Sequence, residues 1–454
     1  MDRATLLREV SSRLGDRRLV WAGLRADDIE PLSDLPQTEA SFSIVGAYRA
    51  RRSIESLAHE DLSGVRVDLD AWDIDDHLDI AATQRFRQSL LSALARPSAM
   101  LAYRPSRFLS AIWFARQDRC LNLSLFGAHQ AAFEHKPWVE TAVASLGLPR
   151  VPWVYVADEE RRRAADLLRA GPLMLRRNRG SGGAGIVCVG TPEELATQWP
   201  SDVEAFVGVA PFIDRALPVN VGATVWRDGV TVHRPSIQLI GIPDCVTRPF
   251  GYCGNDFGAA ASLPVRIVDQ IEQSTVAIGG WLRESGYRGT FGVDYLVHNG
   301  EPLFTEVNAR FQGSTATSCR LSIEEGEGCL VLEHLAAMLG LPMPASVPLR
   351  ERTACTPVAA QVVVHWTGPQ PQRLDPSALI GAALRVSRSA QADVACRPEL
   401  VTEPGGVVAR VFARDSMTVD GFRLAPGWQA VVTEWTRAQI ETSESRGRSV
   451  AVHR

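Results

Sequence analysis

The chain has 454 residues, 45% hydrophobic and 22% charged, with a net charge of −4. That size and balance predict a globular protein of roughly two to four subdomains and argue against a nucleic-acid partner. Eight cysteines without a Cys-x-x-Cys pair exclude a zinc or disulfide framework, and no apolar run nears the roughly 18 residues of a membrane span, so no membrane partner and a cytoplasmic location are expected.

Residues 1–17 predict an amphipathic helix through Leu6, Leu7, Val10 and Leu14, with no signal-peptide pattern. Arg18–Ala22, Ser41–Tyr48, Val65–Leu69, Ala99–Tyr103 and Leu121–Phe126 read as short strands. Ala82–Ala95 and Arg107–Ala115 read as helices between them. Alternating elements of this kind predict an α/β domain over residues 1–130.

Gly127 begins a connection, and Pro137–Leu146 predicts a helix with proline at its first position. Lys136 sits just before it and is the single lysine among 48 basic residues. An ammonium is a compact point charge where a guanidinium is a planar fork. The survivor at 136 is therefore a candidate for a role that arginine cannot fill. Asp158–Arg169 predicts a charged helix with Arg161, Arg162 and Arg163 on a solvated face.

Pro172–Arg176 and Ile186–Val189 predict strands joined by a loop containing Gly180, Ser181, Gly182, Gly183 and Gly185. The spacing matches Gly-x-Gly-x-x-Gly. A dinucleotide fold needs a helix next, and a strand follows, so that fold is rejected. A glycine loop between strands makes a flap whose backbone N–H groups can approach phosphates. Thr191 and Glu194 form a capping box. Ala205–Ile213 is a nearly unbroken apolar run, and Val219–Trp226 with Val230–His233 predicts a hairpin around Asp228-Gly229. Gln238–Val268 reads as an irregular, functional loop in which Tyr252–Asp256 are polar enough to touch substrate. Ile267–Glu284 and Glu324–Leu339 predict helices. Pro342–Arg350 reads as a linker. Ala354–Arg454 reads as mostly strand, with Val358–Trp366, Ala383–Val386 and Val407–Ala413.

The richest stretch is 289–315. Phe291–Val297 and Leu303–Val307 flank Asn299-Gly300, a hairpin signal. Register decides what it presents. A two-residue loop pairs 294 with 305 and turns Glu306 to the other face. A three-residue loop pairs Asp294 with Glu306 and sets Asn308 on the same face, opposite Gly292. Two carboxylates and an amide oxygen on one patch are hard donors of the kind Mg²⁺ prefers. A half-polar hairpin facing water is the alternative.

Glu306-Val-Asn308-Ala-Arg310, with Asp294 twelve residues upstream, resembles the Glu-x-Asn-Pro-Arg signature of the ATP-grasp superfamily. Ala309 stands where that pattern often has proline, which fixes backbone but ligates nothing. The resemblance runs over roughly residues 121–341, with Lys136, the flap and the hairpin in family order. It implies an ATP-grasp fold, mixed α/β (α+β). An N-terminal pre-ATP-grasp domain would span 1–130 and the ATP-grasp module 131–345, with its flap subdomain at about 150–210. A small C-terminal β-rich domain would span 351–454.

The resemblance also implies site roles. Asp294, Glu306 and Asn308 would hold one or two Mg²⁺ ions, with Mn²⁺ as an alternative. Lys136 would touch ATP phosphates. Arg176 stands where the family usually has a second phosphate-binding lysine. Gly180, Ser181, Gly182, Gly183 and Gly185 would form the flap. Pro211, Phe212 and Ile213, with Ala210, would form the linker that reads adenine. Arg310 would hold a carboxylate or the transferred phosphoryl group, making it and Lys136 the catalytic candidates.

The implied reaction joins a small-molecule carboxylic acid to an amine or peptide through an acyl phosphate. The domain layout resembles peptide ligases of natural-product pathways, such as the pheganomycin type, and leaves a homodimer open. A small-molecule kinase of the same superfamily and a non-catalytic nucleotide-binding protein are the alternatives. Asp256-Phe257-Gly258 hints at a protein kinase. However, Pro235 occupies the position of the catalytic aspartate after His233-Arg234, and the only lysine precedes the glycine loop.

Overall fold

The computed structural model describes residues 2–46, 54–124, 130–200, 204–387, 393–395 and 400–451. The expected strand ends at 47–48 and 125–126, and the connection at Gly127, lie outside the described residues.

The N-terminal region builds a five-stranded sheet in the order Glu55–Ala58, Thr38–Val45, Arg18–Arg25, Ser98–Ala102, Cys120–Asn122. Every pairing in it is parallel. Helices Ala81–Ala93 and Arg107–Phe114 bury Phe86, Leu90, Phe108 and Ile112 against it. Helix Arg3–Leu14 begins at an Asp2 cap. Its apolar stripe of Leu6, Val10 and Leu14 packs in one cluster with Leu330, Val331, Leu332 and Leu335 of a later helix, so the N-terminal segment is seated on the rest of the chain by apolar burial.

A second, antiparallel sheet runs Val154–Ala157, Phe206–Pro211, Leu173–Arg176, Ile186–Val189. The Thr191–Glu194 capping box starts helix Pro192–Thr197 as expected, and Arg161, Arg162 and Arg163 are exposed. The third sheet is the largest, with eight strands. It runs Glu301–Asn308, Gly289–His298, Leu217–Val225, Val230–Ile240, Tyr252–Asp256, Ala360–His365, Val407–Ala413, Asp393–Ala395. Helix Val265–Glu284 covers one face of it through Ile267, Ile271, Ile278 and Leu282.

Several expectations change. Tyr252–Asp256, read as loop, is a strand held between two others. Gly254, the polar Asn255 and Asp256, and its short length hide the signal, and two neighbouring ladders supply what propensity lacks. The helix expected over Glu324–Leu339 begins only at Leu330 and runs to Met338; a separate helix, Thr315–Glu324, ends where the expected one was to start, and Gly326 between them takes positive φ (71°). Ala383–Val386, read as strand, is the last turn of helix Ser377–Val386. Pro426–Ala451 is also helical. Val65–Leu69 reduces to Val65–Arg66, which pairs with Val401–Thr402 instead of joining the N-terminal sheet. There Arg66 is buried in an ion pair with Glu60 at 2.9 Å. Lys136, read as just outside its helix, is the first residue of helix Lys136–Ser145.

Candidate active site

The hairpin presents its carboxylates by a route the spacing did not specify. Asn299 and Gly300 both take positive φ, 51° and 75°, in a two-residue turn with His298 opposite Glu301. That register alone would pair Asp294 with Thr305. A β-bulge at Thr305 adds the missing residue, so Asp294 lies opposite Glu306 and Asn308 opposite Gly292. The freed Thr305 carbonyl accepts from Arg176 Nη1 at 3.3 Å. The turn is thus shorter than a three-residue loop, and the bulge restores the shared face.

A cavity of ≈ 590 Å³ opens over this patch, between the three sheets. Asp294, Glu306, Asn308, Arg310, Lys136 and Arg176 all line it. So do Gly180–Gly183 of the glycine loop and Pro211–Ile213 at the end of Phe206–Pro211. Gly185 does not. Its carbonyl instead accepts from Arg177 N at 3.2 Å and closes the loop on itself. The loop lies over the cavity, with Tyr252 N donating to Gly182 O at 3.3 Å. A Cβ on Gly183 would stand 1.9 Å from the Phe250 carbonyl oxygen. Apolar side chains including Met174, Ile186, Ile213, Ile240 and Leu296 also line it, and Phe212 N donates to Pro172 O at 2.8 Å.

Lys136 Nζ donates to Glu306 Oε1 and, at 3.4 Å, to the Gly180 carbonyl. Burial alone would raise Glu306. The Lys136 ammonium, with Arg176 and Arg310 behind it, outweighs burial and holds the carboxyl below its ordinary value. At Asp294 the Arg310 charge and the amide hydrogen bonds do not outweigh burial. Burial first, and the Glu306 charge second, push it up to about 6. Its Oδ1 accepts from Asn220 at 2.6 Å, Gln238 at 3.2 Å and Gln312 at 3.3 Å, and its Oδ2 from Asn308 at 3.0 Å. Arg310 Nη2 donates to Asn308 Oδ1 at 2.8 Å, and its Nε reaches Glu134 at 3.4 Å.

This donor set fits a divalent hard cation. Two carboxylates meet side by side with an amide oxygen next to them, and one carboxylate is left short of neutralising charge. A bound cation would relieve that. Among the described residues no three His, Cys, Asp or Glu side chains cluster as a metal group. The donors that do meet, from Asp294, Glu306 and Asn308, are oxygens, which suit Mg²⁺ or Mn²⁺ rather than zinc.

Arg176 is engaged more heavily than its position suggested. It is 2% exposed, stacks over Trp153 at 3.7 Å, pairs with Glu140 and donates to Tyr155 at 3.3 Å. Burial pulls its guanidinium down to about 9. Glu140 and Tyr155 carried no sequence signal. Nor did Gln238 and Gln312. Asn220 did, as a lone amide inside the apolar strand Leu217–Val225, a buried polar residue that needs a partner. Phe422 brings the C-terminal region to the cavity, where no contribution was read.

No family model matches the chain. It is 24% identical over 216 residues to a formate-dependent phosphoribosylglycinamide formyltransferase of Synechococcus sp., covering 45% of this chain and 50% of that one. A protein of the same description from Nitratidesulfovibrio vulgaris is 27% identical over 218 residues, covering 45% and 49%. The chain thus spans about half the length of the curated relatives it matches. Among solved structures, it is similar to N5-carboxyaminoimidazole ribonucleotide synthetase from Thermus thermophilus, with TM-score 0.54 and 16% identity over 92% of this chain and 98% of that one. The Aspergillus clavatus synthase in complex with ADP and an aminoimidazole ribonucleotide gives TM-score 0.55 at 12% identity, over 94% and 99%. The biotin carboxylase domain of a single-chain bacterial carboxylase gives 0.57 at 18%, over 88% and 85%.

Proposed function

From a chain with the ATP-grasp fold, we propose an ATP-dependent ligase that activates a carboxylate as an acyl phosphate and joins it to an amine, releasing ADP and phosphate. The observation that carries this reading is the convergence of Lys136, Asp294, Glu306, Asn308 and Arg310 under a glycine loop in one cavity. The Synechococcus and Aspergillus similarities support nucleotide-driven chemistry on small molecules. On this reading residues 1–130 and 351–454 flank a nucleotide module at 131–345, and the Pro211–Ile213 segment faces adenine.

Asp294, Glu306 and Asn308 would hold Mg²⁺, which when bound neutralises phosphate charge. Lys136 would present a compact point charge to the phosphates, and Glu306 would be among the residues that hold the metal. Arg310 offers a planar fork to the carboxylate or to the phosphoryl oxygens, where charge builds during transfer. A substrate carboxylate oxygen attacks the γ-phosphorus and the bond to the β–γ bridging oxygen breaks, leaving ADP. The amine then attacks the acyl carbonyl, losing a proton as phosphate departs. A bare carboxylate has no such leaving group. The amine is read as that of an amino acid or peptide.

The deciding assay combines purified protein, ATP and Mg²⁺ with a pool of acids and amines. ADP with free phosphate is expected, and a hydroxamate when hydroxylamine replaces the amine. AMP as the nucleotide product, or phosphate retained on the organic product, overturns the proposal.

A further inference from the structure

The N-terminal sheet contains a second, smaller chamber. Its strand order runs outward from Arg18–Arg25 through Thr38–Val45 on one side and through Ser98–Ala102 on the other. Connections from the carboxyl ends of these two strands therefore diverge. In open parallel sheets the crevice at such a divergence is where ligands bind. A cavity of ≈ 40 Å³ lies there. Its walls are Phe42, Ile44, Trp72, Phe86, Phe108 and Leu109. Leu24, Tyr103 and Arg104 line both this chamber and the large cavity, so the two adjoin across these residues. The mouth is also tied to the chemistry: Phe311 N donates to Tyr103 O at 3.3 Å, and Arg104 and Arg310 border one small cleft.

The chamber is apolar and Arg104 is the cation at its mouth. Arg104 Nη2 meets Asp73 at 3.0 Å, in a pair whose carboxylate is 40% exposed. Such a pair is weak and exchangeable. The rest of the guanidinium fork remains able to take a carboxylate bidentately. A phosphorylated sugar would gain nothing from the walls and would lose hydration against them. The volume suits about three water-sized spheres, which matches a branched aliphatic side chain and falls short of an aromatic one.

We propose that this chamber selects the amine substrate. That substrate is an α-amino acid with a branched aliphatic side chain seated against Phe42 and Leu109. Its carboxylate lies on Arg104 and its amine is directed toward Arg310. The inference rests on the ligase reading and adds the substrate class to it. The bond that forms is between this amine nitrogen and the acyl carbon, the carbon–oxygen bond to phosphate breaks, and the amine proton goes to solvent.

The test is calorimetric titration of the full chain, with Mg²⁺ and a non-hydrolysable ATP analogue present. The probes are L-leucine, L-phenylalanine, glycine, L-aspartate and ribose 5-phosphate. Leucine should bind roughly tenfold tighter than any other probe. Leu109→Trp should fill the chamber and abolish that preference while leaving the affinity for the ATP analogue unchanged. Leu109→Ala should enlarge it and raise phenylalanine above leucine. Arg104→Gln should weaken leucine and glycine alike. Tighter binding of ribose 5-phosphate or aspartate, or a leucine affinity indifferent to both Leu109 variants, overturns the assignment. Turnover separates this outcome from failure of the ligase reading. Leucine bound as expected but never coupled to ADP release removes the ligase and keeps the chamber. ADP release driven only by phosphorylated amines keeps the ligase and removes the chamber.

Discussion

Lys136 and Glu306 stand 170 residues apart in the chain and form an ion pair in the cavity, with the lysine amine donating to the carboxylate. Each is the other's counter-ion, and Asp294 beside them is left with amides alone as hydrogen-bond donors. The pair therefore neutralises Glu306 but not Asp294, which burial and the Glu306 charge push up to about 6.

Lys136→Arg tests whether charge alone suffices. The guanidinium is larger and planar, and the space between Glu306 and the Gly180 carbonyl is shaped around an ammonium. The KM for ATP should rise by about tenfold. Steady-state kinetics decide it, and a KM equal to that of the parent would mean the single lysine is an accident of composition.

Glu306→Gln should lower the rate of ADP formation by at least about 100-fold. The amide oxygen still accepts from Lys136, and repulsion of Asp294 disappears, so the fold should survive. Circular dichroism and a thermal melt provide the check. Retained turnover in a folded variant would remove Glu306 from the chemistry.

Gly183→Ala addresses the loop. Gly183 has φ of 80°, and its added Cβ would meet the Phe250 carbonyl oxygen at 1.9 Å. The loop could not seat as it does. The KM for ATP should rise about fivefold or more, the equivalent of roughly 1 kcal/mol of strain. Protease cutting within 180–185 should become faster, with the global melting temperature nearly unchanged. An unchanged KM would mean that the seated loop has no part in nucleotide use.

His334 makes an acid-sensitive contribution. Its Nδ1 accepts from Thr290 N at 3.0 Å and its Nε2 lies 2.7 Å from the Leu123 carbonyl. Burial pulls it from 6.5 down to about 4. Unfolded, the ring takes its proton near the ordinary value; folded, it resists until about pH 4. Between those values the unfolded state binds more protons, so stability falls as pH drops through that window. His59, also lowered to about 4 by burial, acts in the same sense. Urea unfolding of His334→Gln should depend less on pH between about 4 and 6.5 than that of the parent. Parallel curves would refute the assignment.

The outline of the site was legible because its parts are local. Asn299-Gly300 specifies a tight turn through backbone conformation alone, and a glycine loop between two apolar runs reads as such from spacing. The bulge at Thr305 is not local. It is stabilised by Arg176 from another sheet, and nothing within the hairpin distinguishes residue 305 from its neighbours. Tyr252–Asp256 became strand for the same reason: its ladder partners lie at 237–240 and 360–362. Ala383–Val386 shows the converse, a short aliphatic run whose helical outcome depends on what precedes it.

By itself the sequence determined the pieces: one lysine, a glycine loop, an Asn-Gly hairpin with Asp294, Glu306, Asn308 and Arg310 at close spacing, and an N-terminal run of alternating strands and helices. Those follow from backbone preference and side-chain period, which act within a few residues. Tertiary structure alone decided the register that turns Glu306 toward Asp294, the pairing of Lys136 with Glu306, the capture of Arg176 by Glu140 and Trp153, and the placing of the N-terminal chamber beside the large cavity. Each depends on contacts between segments tens to hundreds of residues apart, and no local preference encodes which distant surfaces will meet.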